Sequence, residues 1–549
     1  MNDGHRQRQM VQKLKTQVKQ DAKRRRGIAL IENIAQTLAG QSNDLDELSP
    51  RSIPRQSRSF VKTGPPLTDM ALFTTRSPQL FDRALESLTT PPTYTTNKLE
   101  MGYLMGCMEY VFPILFPFYN PAILEGGRSW PVMLALKSVG FSKSVTSLSS
   151  YFFSAIPVVP GPVHNACFTK TWHELSHQTN MALTSVQHDL QHLQSQGIDS
   201  NLRGAVHLLA NIVQLLVLER ELFTSSEWQV HLKAATGLLE QILLHHGVDN
   251  PGQDPSIAAV VEKLADPIPL QASTSTPLNP EQAAFLFFST IMVVEDIVIS
   301  TYLDQHPKLR RYLAEEGPRD PRHVLRVETL TGCQGWVFQL LGDTTTLNTW
   351  KKIKWQNSQL VTDQLHHRVK EIDQRWQDGI KHLDQRSSWR RDETDAAYGL
   401  YGPLESVLRD SNYTYAHAVG SSGINTGITQ IWAYAARTLL LITLLGWQPT
   451  HQDIVDCVEH TVNLLNDISS PSWLRLLIWP ICVTGCIAVE QQRPTIRSIL
   501  DKMGALGALG SVRSARSIIE SVWAQQELDV ETWDFTTCFN LLEHTTLLV

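Results

Sequence analysis

Residues 428–442 read Ile-Thr-Gln-Ile-Trp-Ala-Tyr-Ala-Ala-Arg-Thr-Leu-Leu-Leu-Ile, and within them Ile428, Trp432, Ala435, Leu439 and Ile442 recur at three- and four-residue steps. That spacing puts five apolar side chains on one stripe of an α-helix, which repeats every ~3.6 residues. Leu232, Ala235, Leu238, Leu239 and Ile242 repeat the pattern. This second run ends at His245, His246 and Gly247: two imidazoles suited to the negative end of the helix dipole, then a residue that tolerates positive φ. Helical spacing recurs at 101–112, 130–155, 172–195, 203–223, 284–302, 334–341, 359–383, 453–467 and 513–526, while alternating strand-like stretches are nearly absent. The expectation is an all-α, multi-helix body held together by packing of apolar faces rather than by isolated helix propensity.

Charge divides the chain unequally. Nine of the first 26 residues are basic (Arg6, Arg8, Lys13, Lys15, Lys19, Lys23, Arg24, Arg25 and Arg26) against Asp3 and Asp21, a formal +7; with the whole chain at −6, residues 27–549 carry −13. A cationic arm on an acidic body admits three readings: a solvated tail, a nuclear-import signal, or a contact to phosphates. Residues 9–23 also permit a helix with Met10, Leu14 and Val18 on one side, a pattern that can dock on DNA or on a partner.

The remaining composition is that of an ordinary globular protein. At 549 residues, 42% hydrophobic and 19% charged, the chain can bury a large core, and length alone suggests about three or four domains. Residues 40–66, rich in Ser, Pro, Arg and Gln, bury too little to order themselves, so 1–66 reads as a disordered basic arm and 67–549 as the helical body. Within that body, 248–281 contains Pro251, Pro255, Pro267, Pro269, Pro277 and Pro280 and reads as a surface loop or a seam. The apolar windows 431–447 and 476–489, broken by Arg437 and Pro480, fall short of the roughly 20 residues a bilayer crossing needs, so no membrane partner is expected. The amino terminus shows no apolar secretion signal, and Cys107, Cys167, Cys333, Cys457, Cys482, Cys486 and Cys538 are scattered in apolar sequence, consistent with reduced, buried thiols in an intracellular protein.

One motif points toward chemistry. His173-Glu174-Leu175-Ser176-His177 fits H-E-x-x-H, in which two His one turn apart hold zinc and the Glu acts as base, the signature of a zinc metalloprotease. Its helix argues otherwise: Trp172, Leu175, Ala182, Val186, Leu190 and Leu193 form the apolar stripe, and His173, His177, His188 and His192 lie on the opposite, solvent face. No third ligand is apparent, Glu219 being merely the nearest acid on an apolar helix. Gly504, Gly507 and Gly510 follow no strand and read as a flexible connection between helices. Fourteen Trp, among them Trp130, Trp228, Trp336, Trp432 and Trp479, read as core anchors. The sequon Asn412-Tyr413-Thr414 lacks a secretory route. No catalytic residues, metal ligands or cofactor are expected.

Several blocks, in order across the body, carry a family resemblance. They are Phe116-Pro117-Phe118-Tyr119-Asn120-Pro121, Gly126-Gly127-Arg128-Ser129-Trp130, Leu148-Ser149-Ser150-Tyr151-Phe152 and Trp172 to Leu193 with Val186-Gln187-His188-Asp189. Further along come Gln214-Leu215-Leu216, Trp228-Gln229-Val230-His231-Leu232-Lys233-Ala234-Ala235, Phe287-Phe288-Ser289 and Glu295-Asp296-Ile297. The last are Gly332-Cys333-Gln334-Gly335-Trp336, Leu347-Asn348-Thr349-Trp350-Lys351, and Leu477-Ile478-Trp479-Pro480-Ile481-Cys482 with Gly485-Cys486. In this order they resemble the fungal-specific transcription factor domain family, helical regulatory bodies often found with a zinc-cluster DNA-binding region. The resemblance implies a nuclear regulator of transcription, of the kind that controls a fungal secondary-metabolic gene cluster, with DNA and the transcription machinery or other proteins as partners. A zinc cluster would need six closely spaced cysteines near the amino terminus, and the first Cys here is Cys107. As in family members that begin with a short basic segment, DNA contact would then fall to residues 6–26. The alternative is a co-regulator that does not touch DNA and occupies another protein through its helical body.

Overall fold

A computed structural model describes residues 98–122, 125–155, 162–222, 228–248, 254–266, 277–303, 305–314, 324–389, 421–525, 533–541 and 547–548. Among these residues the regular structure is helical throughout. Helix α1 (Lys98–Gly106) continues through a π-helical turn (Cys107–Val111) into α2 (Phe112–Leu115). There follow α3 (Trp130–Lys137), α4 (Val139–Ala155), α5 (Pro162–Gln196), α6 (Leu202–Leu222), α7 (Trp228–His246), α8 (Ile257–Lys263) and α9 (Pro280–Leu303). The second half comprises α10 (Glu328–Thr331), α11 (Gly335–Gln356), α12 (Thr362–Trp389), α13 (Ser421–Leu445), α14 (Gln452–Asn466), α15 (Pro471–Leu476), α16 (Ile478–Ile487), α17 (Arg493–Asp501), α18 (Gly510–Trp523) and α19 (Phe535–Asn540).

The stretch that decided the fold is the middle of α13. Ile428, Trp432, Ala435, Leu439 and Ile442 are all buried, and so are Ile431, Ala433, Ala436, Leu440 and Leu441, so nearly the whole circumference is covered. Helices α11, α12, α14 and α16 surround it. The opposite half is organised around α9, flanked by α3, α6, α11 and α19. One continuous apolar cluster joins both halves, from Leu104 to Leu548. Within 248–281, Ile257, Val260, Val261 and Leu278 enter that same cluster from α8 and the approach to α9.

Two local readings of the sequence need correction. The run 130–155 is two helices, separated at Ser138, whose backbone is extended (φ −124, ψ 117) and whose Oγ accepts from the Phe141 amide. Gly247 does end α7, but not by positive φ. A Cβ there would stand 2.5 Å from the Leu243 carbonyl oxygen, beside the backbone of Ser256, whose amide donates to the Gly247 carbonyl. The need is for close approach, and Lys263 Nζ caps the same helix end through the His246 and Val248 carbonyls.

The expectation that no apolar stretch is long enough to cross a bilayer holds for 476–489, whose helix is Ile478–Ile487, but not elsewhere. Residues 202–221, 280–303 and 425–445 are long and apolar enough by length and composition, but 78%, 89% and 72% of their apolar windows are buried inside the protein. A helix that is apolar on all sides is a central core helix when other helices cover it. Pro480 sits in the first turn of α16, where its missing amide has no intrahelical partner to lose, so it leaves the helix intact.

Five buried threonine hydroxyls of α11 and α13 are accommodated within their own helices. Thr344, Thr345 and Thr349 in α11, and Thr438 and Thr443 in α13, donate to the carbonyl four residues earlier, at 2.9–3.1 Å. Each polar group is thereby satisfied, and a Thr-rich sequence can face an apolar core.

Trp432 of α13 and Trp479 of α16 stack at 5.2 Å between centroids and 8° between planes, and Trp479 Nε1 donates to Thr301 Oγ1 of α9 at 3.0 Å. This contact links the two central helices through a third. Trp130, Trp228, Trp432 and Trp479 are buried as expected, whereas Trp336 is half-buried and covers Gly379 of α12. Trp479→Ala removes half of the indole stack and the donor to Thr301 Oγ1, whose own proton still goes to the Val298 carbonyl. Chemical denaturation is expected to show a loss of about 3–5 kcal/mol.

Candidate functional site: a buried charge network at the helix junction

Helix α6 is apolar until its last turn, where Glu219, Arg220 and Glu221 follow one another. Consecutive helical residues point ~100° apart, so three adjacent charges reach three different neighbours. Glu219 Oε2 lies 2.8 Å from His231 Nδ1 on α7. Arg220 Nη1 donates to Glu295 Oε1 on α9 at 3.0 Å, and its Nε donates to Glu221 Oε1 at 3.0 Å. Glu221 Oε1 also accepts from Arg475 Nη1 on α15 at 2.8 Å. Arg475 Nη2 then donates to the Leu115 carbonyl at the end of α2, at 2.6 Å.

Two guanidiniums and two carboxylates thus form a neutral, buried quartet that joins α2, α6, α9 and α15. Burial pushes Glu295 up to about 7, a shift that Arg220 opposes, and brings Arg475 down to about 10, opposed by Glu221. Glu221 Oε2, Glu295 Oε2 and Arg475 Nε have no protein partner. The arrangement fits a structural clamp. Its charges are closed upon one another, and the neighbouring apolar cavity, lined by Cys107, Phe112, Leu115, Trp130 and Phe287 among others, has only about 20 Å³ of free space, room for roughly one water.

The family-like blocks converge on this region. Trp130 Nε1 donates to Tyr119 Oη at 2.9 Å, and Arg128 donates twice to the Tyr119 carbonyl. Phe112, Phe116, Tyr119, Trp130 and Phe288 all pack against Phe287 with ring centroids 4.7–5.6 Å apart. His231 comes from the Trp228 block, Glu295 from the next, and Trp479 from the last. The blocks are the ties between helices.

Of the H-E-x-x-H motif the structure describes the side chains of Leu175, which is buried, and His177. His177, His188 and His192 are exposed on α5, and the side chain of His173 lies outside the described residues. Glu219, the nearest acid on an apolar helix in the sequence reading, is buried and pairs with His231. Among the described residues no group of three or more His, Cys, Asp or Glu can hold a metal ion. Cys107, Cys333, Cys457, Cys482, Cys486 and Cys538 are free and buried, while the Cys167 side chain is outside the described residues. The glycine-rich connection holds a 3₁₀ turn (Gly504–Ala508); Gly504 and Gly507 have open space beside them, whereas a Cβ on Gly510 would stand 2.4 Å from the Arg220 carbonyl oxygen, beside the quartet. The basic residues Arg6, Arg8, Lys13, Lys15, Lys19, Lys23, Arg24, Arg25 and Arg26, the segment 9–23 and Asn412 all lie outside the described residues. The quartet itself escaped the sequence reading, although Glu295 inside a 24-residue apolar helix and Arg475 between Leu474 and Leu476 were visible signals.

The blocks that carry the family resemblance supply Glu295 to the quartet, His231 to the buried Glu219 pair and Trp479 to the helix junction. Residues 103–549 match the fungal-specific transcription factor domain, and the chain belongs to that family of transcription factors, which are not enzymes. It is 30% identical over 458 residues to the transcription factor dibT of Pestalotiopsis microspora, covering 82% of this chain and 71% of that protein. It is 23% identical over 452 residues to the trichothecene biosynthesis transcription regulator TRI10 of Trichoderma arundinaceum, covering 80% and 92%. It is 20% identical over 489 residues to pestheic acid cluster transcriptional regulator 3 of Pestalotiopsis fici, covering 88% and 80%. No solved structure matches.

The quartet makes its role measurable in two ways. Arg475→Met leaves Glu221 paired to Arg220 alone and strips the Leu115 carbonyl, and is expected to lose about 3–5 kcal/mol in denaturant unfolding. Glu295 has a folded pKa raised above its ordinary 4.5, so its contribution is fullest below that value and declines as pH climbs to about 7. Measured against Glu295→Gln, the wild-type protein should therefore lose relative stability across that interval and hold a constant difference above it.

Proposed function

We propose that this chain is a nuclear regulator of transcription acting on a fungal secondary-metabolic gene cluster. Its helical body, taken as residues 67–549, receives a signal or a protein partner, and its basic arm, residues 1–66, supplies import and contact to DNA phosphates. The family membership together with the relatives' names carries this reading: dibT is a transcription factor, TRI10 a trichothecene biosynthesis regulator, and the Pestalotiopsis fici protein a regulator of the pestheic acid cluster. The +7 charge of residues 1–26 supports the role of the arm, because counter-ion release from DNA scales with the number of phosphates neutralised. Such contact is indifferent to sequence; base reading needs side chains held in a groove by a folded element.

Deleting residues 1–26 from the full chain provides the test. Mobility-shift titrations across a salt series should show weaker duplex binding and a shallower salt dependence, the slope falling by about 0.9 for each phosphate that is no longer neutralised. A tagged copy of the truncated chain should also fail to concentrate in the nucleus. If DNA affinity and nuclear accumulation both survive, the arm has neither role and the co-regulator reading replaces this one.

A further inference from the structure

Helices α11 and α12 form an antiparallel hairpin. Arg375 pairs with Asp343 at 2.7 Å, and nearer the turn the Arg368 guanidinium lies 4.3 Å from the centroid of the Trp350 ring. The turn is tightly built: the amides of Asn357, Ser358 and Gln359 donate to the carbonyls of Ile353, Trp355 and Lys354, and Ser358 takes a φ of 53°. Its base is anchored to the body by Lys351, which donates to the Thr443 carbonyl, and by Lys352, which pairs with Asp534.

On this anchored end, three large apolar side chains face solvent within nine residues: Ile353 at 47%, Trp355 at 53% and Val361 at 46% exposure. Cations flank them. Residues 350–368 contain Lys351, Lys352, Lys354 and Arg368 against Asp363, a formal +3 on a body that otherwise carries excess negative charge. We propose that the closed end of the α11–α12 hairpin is a docking surface for an acidic peptide segment with apolar side chains, presented by a partner protein. Trp355, Ile353 and Val361 would receive the apolar side chains, with Lys354 and Arg368 facing the carboxylates.

Charge complementarity selects this occupant, and the apolar centre separates it from a phosphate backbone. A duplex needs several available cations arranged along a groove, whereas here Lys351 and Lys352 are committed to the protein's own oxygens and exposed aromatic and aliphatic groups hold the middle. An exposed Trp with neighbouring Arg is also the composition of interface hot spots. The inference rests on the reading of the body as a partner-binding unit. Deletion of the basic arm leaves the hairpin intact, so the two ideas fail separately.

Fluorescence anisotropy on the full chain tests it, with a short fluorescein-labelled peptide that alternates Asp with Leu and Phe as the probe. The wild-type chain should bind this peptide. Trp355→Ala and Lys354→Glu should each weaken it at least tenfold; Trp355 is exposed and Lys354 Nζ donates to Gln359 Oε1 within the exposed turn, so the melting temperature should change little. A control peptide with Leu and Phe replaced by Ser, of equal charge, should bind at least tenfold more weakly. Four results would overturn the proposal: no binding by the wild-type chain, equal binding of the Ser peptide, peptide affinity indifferent to both variants, or duplex DNA whose affinity falls with the variants while that of the peptide does not.

Discussion

The Arg475 guanidinium ties together parts of the chain that lie far apart in sequence. It pairs with Glu221 on α6 and donates to the Leu115 carbonyl on α2, partners 254 and 360 residues away in sequence. Through Glu221 it is coupled to Arg220, and through Arg220 to Glu295 on α9. Apolar packing alone allows helices to slide and repack at small cost, but a buried ion has few acceptable positions. The quartet therefore fixes the registration of four helices whose other contacts are largely non-directional.

This constraint accounts for features around it. The aromatic cluster of Phe112, Phe116, Tyr119, Trp130 and Phe287 lies against the same end of α2 and is positioned by the Leu115 anchor. Gly510 must lack a side chain because α18 begins against the Arg220 carbonyl. Trp479, stacked on Trp432 of α13, sits on α16, which follows Arg475 after two residues, so the same segment that supplies the cation supplies the junction between α9 and α13.

Much of this architecture was legible in the sequence. Amphipathic helices declared themselves by period, and α13, α7 and α5 fall where their spacing puts them. The helix over Pro280–Leu303 was also legible by its spacing at 284–302, but not its full apolar length, because residues that face other helices on every side blur the contrast between faces. Pairings such as Glu219 with His231 or Arg475 with Leu115 depend on which helices become neighbours, and local spacing does not encode that. The exposed tip at Ile353 and Trp355 was hidden by the opposite problem: aromatic residues in a helix suggest the core, and only packing shows which ones are left outside.

The separation of Glu221 from Arg475 has a consequence for biosynthesis. Ribosomes add roughly 5–20 residues each second, so the 254 intervening positions take about 13–50 s to emerge. In the later part of that interval, once the chain has passed Leu303, α6 and α9 are both made but lack their tethering cation. A nascent polypeptide in this condition is a natural client for chaperones. The pace of its translation thus becomes part of how reliably the finished regulator accumulates.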